Sequence, residues 1–199
     1  MIRRVFPHVV ALAAALVVVP AAWSQEGASP ADTTKKATKE LPLEPGRTLA
    51  FTATEGTWMS LDVSPDGQTI VFDLLGDLYT MAIGGGEATR LTSGMGYDVQ
   101  PRFSPDGERV VFVSDRSGAE NLWIMSLDGA DTTQLTKEKR EDFVSPEWTP
   151  DGSYVVASKG RNGKLWLYHV DGGSGVGLIT EPDNLHTTGA AFGDNDRFI

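Results

Sequence analysis

The chain has 199 residues, no cysteine, 40% hydrophobic residues and a formal net charge of −10 at pH 7. The lack of cysteine excludes disulfides, thiolate metal ligands and cysteine nucleophiles. The acidic balance argues against nucleic acid as a main partner, because that interaction depends on clustered lysine and arginine.

The first 24 residues are typical of a secretory signal peptide. Arg3 and Arg4 precede an apolar run over residues 9–19, and Ala22-Trp23-Ser24 supplies small residues for cleavage. The run is shorter than the roughly 20 residues that a membrane-spanning helix needs, so a retained anchor is the weaker alternative. We expect a periplasmic or secreted protein with no membrane span after cleavage.

Residues 25–47 are rich in Lys, Thr, Pro, Ala and Glu and poor in large apolar residues. This composition predicts a disordered linker, with a short helix as the alternative. Residues 49–54 then predict a strand that belongs to no repeat, which we expect to complete the last unit of the fold.

The following elements are strands joined by tight turns. Residues 59–63 alternate apolar and polar side chains, and residues 69–73 are rich in β-branched and aromatic types. Residues 77–81 and 88–92 predict two further strands around a glycine-rich turn. Residues 110–114, 121–127 and 132–136 repeat this order.

Three series of residues share one period of about 44 positions. The first is Ser64-Pro65-Asp66-Gly67, Ser104-Pro105-Asp106-Gly107 and Thr149-Pro150-Asp151-Gly152; the second is Leu91-Thr92, Leu135-Thr136 and Ile179-Thr180; the third is Asp77-Leu78-Tyr79, Asn121-Leu122-Trp123 and Lys164-Leu165-Trp166. In the first series proline and glycine have the backbone preferences of a tight turn, and aspartate caps its own backbone.

Four short antiparallel strands in a repeat of this length indicate one blade of a β-propeller. The predicted fold is therefore all-β: a partial propeller over residues 48–199, with three four-stranded blades and the start of a fourth, cut off before ring closure. The repeated Tyr79, Trp123 and Trp166 are expected to fill the space between blades; a ligand-stacking platform is the alternative.

The turn motif and its flanking residues resemble the TolB-like propeller, which is built from repeats named for their Pro-Asp dipeptide. The stretches 58–63 and 72–79, with 100–103, 113–118 and 165–175, are similar to the N-terminal propeller of exported amidohydrolase-family proteins. The fourth repeat departs from the pattern, because Gly193-Asp194-Asn195-Asp196 stands where the Pro-Asp turn is expected. The resemblance implies a downstream metal-dependent hydrolase domain, with zinc as the expected metal, for which the propeller is a scaffold or access filter.

The sequence offers no catalytic, cofactor-binding or metal-binding residues in this segment. His169 and His186 are too far apart in sequence for a close zinc pair, and Ser174 lacks the final glycine of a nucleophile elbow. The acidic cluster of residues 194–196 lacks the ligand spacing of a calcium loop. The recurring Asp66, Asp106 and Asp151 are explained by their place in the turns.

The first functional hypothesis is therefore the propeller of an exported amidohydrolase, with the downstream domain of the same protein as its partner. The alternatives are a TolB-type propeller that binds envelope proteins and the propeller of a prolyl-oligopeptidase-type serine peptidase. TolB carries a domain before its propeller, whereas residues 25–47 are too short for one.

Overall fold

The computed structural model describes Arg47, residues 49–179 and residues 186–192. The predicted signal peptide and acidic cluster, and all of the predicted linker except Arg47, lie outside these residues. The chain divides into two units, Met1–Ala50 and Phe51–Ile199. All the described strands belong to the second unit.

The strands form three four-stranded antiparallel sheets in strict chain order. The first sheet holds β1 (Leu61–Val63), β2 (Thr69–Leu74), β3 (Asp77–Ala82) and β4 (Thr89–Arg90); the second holds β5 (Asp98–Phe103), β6 (Arg109–Ser114), β7 (Asn121–Ser126) and β8 (Thr132–Gln134); the third holds β9 (Phe143–Trp148), β10 (Tyr154–Lys159), β11 (Lys164–His169) and β12 (Val176–Gly177). These sheets are blades 1, 2 and 3. The predicted all-β partial propeller is confirmed.

The Pro-Asp turns join the first and second strands of each blade. Gly67, Gly107 and Gly152 have φ values of 70°, 75° and 70°, a region that side chains resist. In blade 1 the Asp66 carboxylate accepts hydrogen bonds from the Ser64 hydroxyl and the Gln68 amide. The same bonds recur in the other two turns, so the motif is a structural turn.

In blades 1 and 2 the Leu-Thr series ends the last strand of the blade, which we call the outer strand. The hydroxyl oxygen of Thr92 accepts the backbone N–H of Leu78 at 2.9 Å, and Thr136 accepts that of Leu122 at the same distance. A side chain thus replaces the next backbone bond of the ladder. For this reason β4 and β8 are shorter than the strands predicted over residues 88–92 and 132–136.

Adjacent blades pack face to face through two apolar clusters. Between blades 1 and 2 the cluster contains Val71, Leu78, Phe103, Val110, Phe112 and Met125. Between blades 2 and 3 it contains Val111, Val113, Leu122, Ile124, Leu135, Phe143, Trp148, Val155, Ala157 and Tyr168. Each blade therefore covers the apolar face of its neighbour, as stacked repeats must.

The repeated aromatic residues do not all have the same environment. Trp123 and Trp166 are partly buried against the two clusters, which agrees with their predicted role between blades. Tyr79 belongs to neither cluster and stacks on Phe72, with ring centroids 5.6 Å apart. The face of blade 1 that carries Tyr79 has no preceding blade among the described residues.

The first strands of successive blades lie side by side, β1 against β5 and β5 against β9. Each of β5 and β9 contains a bulge at a proline, Pro101 and Pro146. The residues before these prolines, Gln100 and Ser145, have φ values of 56° and 53°. Gly189 occupies the corresponding position of the next repeat, with φ of 75°. This match supports the predicted start of a fourth blade.

The strand predicted over residues 49–54 does not form. These residues are irregular and exposed, Leu49 to 67% and Phe51 to 69%. A strand needs a hydrogen-bonding partner, and no described strand pairs with this segment.

Candidate functional site

Among the described residues, no three His, Cys, Asp or Glu side chains lie close enough to hold a metal ion. Ser174 and His186 are exposed. The Nδ1 atom of His169 accepts the backbone N–H of Asp171 at 3.2 Å, and its ring contacts Tyr154. His169 therefore helps to form a hairpin turn.

The turn aspartates have the wrong electrostatics for acid–base work. Hydrogen bonds from the Ser64 hydroxyl and the Gln68 amide lower the pKa of Asp66. The pKa values of Asp106 and Asp151 are lowered in the same way by Ser104 and Thr149. A carboxyl whose pKa is lowered is a poor proton carrier near neutral pH.

A row of charged side chains crosses the first strands of the three blades. These strands are β1, β5 and β9, and we call them the inner strands. The row consists of Asp62, Arg102 and Glu147, each two residues before the Ser or Thr that opens a Pro-Asp turn. Arg102 donates from Nη1 to the Leu61 carbonyl of blade 1 at 3.2 Å. Its Nε lies 3.5 Å from the Glu147 carboxylate of blade 3. One guanidinium thus contacts both neighbouring blades, and we call this row the axial charged row.

Its acidic members have different partners. The Asp62 carboxylate accepts the Phe103 N–H of blade 2 at 2.8 Å. Burial raises the pKa of Glu147; the Trp148 amide and Arg102 oppose this shift, and Asp62 adds to it. The axial charged row is therefore partly desolvated and alternates in sign. Sequence reasoning did not identify it, although the shared offset from the turn was a usable signal.

The bulge amides of the inner strands are capped by side chains of the preceding blade. The Asp73 carboxylate accepts the Gln100 N–H at 2.8 Å, and the Gln100 side-chain oxygen accepts the Ser145 N–H at 2.6 Å. Ser158 accepts the Gly189 N–H at 3.3 Å. Unpaired edge amides invite another strand, and these caps satisfy the bulge amides.

Two cavities lie where the segment that connects one blade to the next meets the turn between the second and third strands of the following blade. A cavity of about 300 Å³ is lined by Ser93, Met95, Gly96 and Arg116, and another of about 740 Å³ by residues of the 140–142 and 159–166 stretches. Arg116 lies over the rings of Phe112 and Trp123, and Lys159 lies over Trp166. Each cation also pairs with an acidic residue, Asp98 or Glu138.

The part of the chain that the structure describes has no helix with the length and apolarity to cross a membrane.

Comparison with known proteins identifies relatives of the propeller. An uncharacterised protein of Agrobacterium fabrum is 36% identical over 97 residues, covering 47% of this chain and 33% of that protein. The Tol-Pal system protein TolB of Helicobacter hepaticus is 32% identical over 118 residues, covering 57% of this chain and 27% of TolB. The chain thus spans about a third or less of the length of these relatives.

The solved structure of TolB from Acinetobacter baumannii has the same fold. The two structures superpose with a TM-score of 0.58 at 21% identity, over 73% of this chain and 37% of the other. The expected TolB-like propeller is confirmed at the level of the fold and the repeat. A family model for the tricorn protease N-terminal β-propeller domain matches residues 59–185, and the chain therefore belongs to this family.

Proposed function

We propose that the chain is a non-catalytic propeller module of a larger exported protein, and that it works by contacting polypeptide at its axial charged row. Arg102 carries this proposal, because it lies across the inner strands of three blades and keeps only part of its hydration. Charged groups on a pre-organised wall select polypeptides by charge complementarity more than they add affinity. Such a wall suits a scaffold or an access filter.

The identity of the rest of the protein is part of the proposal. The motifs over residues 58–79 favour a downstream amidohydrolase domain, with zinc as its metal. The TolB relatives favour a protein-binding propeller, and the tricorn family match favours a peptidase. Sequence beyond Ile199 separates these outcomes: a His-x-His motif supports the amidohydrolase, and G-x-S-x-G supports a serine peptidase.

The proposed location is the periplasm or the exterior. It rests on the signal-like residues 1–24 and is supported by the Tol-Pal relationship. Secretion of a tagged chain, with the mature N-terminus found after Ser24, tests this point. A chain that stays in the cytoplasm with residues 1–24 attached contradicts it.

The functional test uses the purified chain with short fluorescent peptides in acidic, basic and neutral pools. We expect no hydrolysis, with or without added zinc, and binding that differs between the pools. Arg102→Met should change that selectivity, whereas Lys137→Met, on an exposed loop after β8, should not. Turnover by the chain alone, or equal binding of all pools to both variants, would refute the proposal.

A further inference from the structure

The larger of the two cavities, of about 740 Å³, is lined by charged side chains of both signs. We call it the blade 2–3 cavity. Its cationic lining residues are Arg140, Lys159, Arg161 and Lys164, and its acidic ones are Glu141 and Asp142. The lining therefore has a formal excess of two positive charges, in a chain whose net charge is −10. A cleft with an excess of one sign concentrates ligands of the opposite sign.

The corresponding turn of blade 2 shows how the repeat neutralises this position. Arg116 stands 45 residues before Arg161, in the turn between the second and third strands of its blade. Its guanidinium pairs with the carboxylate of Asp98, which is 1% exposed. Asp98 lies opposite Ser114 in the ladder of β5 and β6. In blade 2 the turn arginine therefore has a carboxylate partner within its own blade.

Blade 3 has the same arginine without that carboxylate. Phe143 lies opposite Lys159 in the ladder of β9 and β10, so it occupies the position that Asp98 has in blade 2. Phe143 is buried in the apolar cluster between blades 2 and 3. No hydrogen bond or ion pair joins the Arg161 side chain to another residue that the structure describes. Arg161 therefore has the position of a paired arginine but not its partner.

The acidic side chains near the cavity do not replace the missing carboxylate. Glu138 pairs with Lys159, whose ammonium nitrogen also lies 4.4 Å from the centre of the Trp166 ring. Glu141 and Asp142 line the cavity, but neither forms an ion pair with a cation in the described part of the chain. The cavity therefore keeps cationic groups that no described carboxylate contacts.

We propose that the blade 2–3 cavity binds a carboxylate group of a polypeptide ligand, with Arg161 as its main partner and Arg140 as the second cation. The ligand carboxylate takes the role that Asp98 has in blade 2. An acidic side chain and a C-terminus present the same group, and either is a source of it. This inference goes beyond the axial charged row and adds a second contact point to the proposed function, on which it rests.

A carboxylate fits these cations for a geometric reason. The planar guanidinium group of arginine presents parallel N–H groups that match the two oxygens of a carboxylate. Arg140 and Arg161 are both exposed, so water and salt weaken the pairing. We therefore expect a weak site whose occupancy falls as the salt concentration rises.

The test follows the backbone amide NMR signals of Gly160 and Gly163, which lie in the same turn as Arg161, in the full chain. The two probes are Nα-acetyl-aspartate N-methylamide, which carries only the side-chain carboxylate, and Nα-acetyl-alanine, which carries only the terminal one. We expect saturable shifts in the millimolar range with at least one probe, and the tighter probe identifies the source. Nα-acetyl-asparagine N-methylamide, which is neutral, should cause none. Inorganic phosphate tests whether another anion fits better.

Two variants test the assigned residues. Arg161→Met should weaken carboxylate binding about tenfold, as expected for the loss of one charge-assisted hydrogen bond, and Arg140→Met should weaken it by a smaller factor. The matched control is Lys137→Met, because Lys137 is an exposed cation on the same loop as Arg140 but does not line the cavity. This control should bind as the native chain does.

Four results would overturn the proposal. They are the absence of saturation, equal binding of the neutral asparagine probe, tighter binding of phosphate than of both carboxylates, and a loss in Lys137→Met as large as that in Arg161→Met. None of these results affects the Arg102 test, so the two proposals can fail separately.

Discussion

The threonine hydroxyl groups that end the outer strands of blades 1 and 2 should contribute measurably to stability. Thr136 is 3% exposed, and its Oγ1 atom accepts the Leu122 N–H and donates to Asn121 Oδ1, both at 2.9 Å. Thr136→Val keeps the shape of the side chain but removes both bonds. Asn121 Oδ1 still accepts the Glu138 N–H at 2.8 Å, so the main loss is one buried donor without a partner.

An unpaired buried donor costs about 1–3 kcal/mol, and we expect Thr136→Val to lower the free energy of unfolding by about 2 kcal/mol. Thr92→Val removes the corresponding bond to Leu78 in blade 1. The two sites lie in different blades and share no partner, so the double variant should lose about 4 kcal/mol, because distant effects add.

Urea unfolding monitored by tryptophan fluorescence measures these losses. The midpoint should fall while the slope stays constant, since the surface exposed on unfolding does not change. Thr133→Val is the matched control, because Thr133 is exposed in the middle of β8. If Thr136→Val and Thr133→Val had the same midpoint, the hydroxyl would not be the reason that threonine recurs here.

Three further predictions concern the turns and the blade contacts. Gly107→Val should destabilise the chain by about 1–3 kcal/mol, because valine resists a positive φ; an unchanged melting temperature would contradict this. The Ser104 hydroxyl lowers the pKa of Asp106, so the ionised carboxylate stabilises the fold above its unfolded pKa, and this contribution is lost as the pH falls through the folded value. Ser104→Ala should raise that pKa in an NMR titration and weaken the acid dependence; an unchanged pKa would refute the cause. Trp148 Nε1 donates to the Arg102 carbonyl of blade 2 at 3.1 Å, so Trp148→Phe should cost about 1 kcal/mol, and chemical denaturation with no change in midpoint would show that this bond is dispensable.

Most of the blade could be predicted because its signals are local. The Pro-Asp turns depend on the backbone preferences of adjacent residues. In the Leu-Thr series, the threonine hydroxyl accepts a backbone N–H of the neighbouring strand in the same blade. The sequence analysis did not predict the inner strands β5 and β9, because Pro101 and Pro146 interrupt their alternation. They become strands only when the bulge amides find acceptors on the preceding blade, as the Gln100 N–H does on Asp73.

The candidate sites show the same division. The lack of a close histidine pair or a nucleophile elbow could be read from residue types and spacing alone. The shared offset of Asp62, Arg102 and Glu147 from the Pro-Asp turns could also have been read from the sequence. Their contacts could not, because these residues are 40 and 45 positions apart and meet only where the inner strands lie side by side.

The repeat period, the turn chemistry and the strand type follow from the sequence by itself, because each depends on residues close together in the chain. The tertiary structure decided which sheet faces are covered, which bulge amides are capped and which charged side chains lie together in the axial charged row. Those outcomes depend on groups that are about one blade apart in the sequence. For a charged side chain, its burial and the distance to its partner then determine whether it is a solvated surface group or part of a binding site.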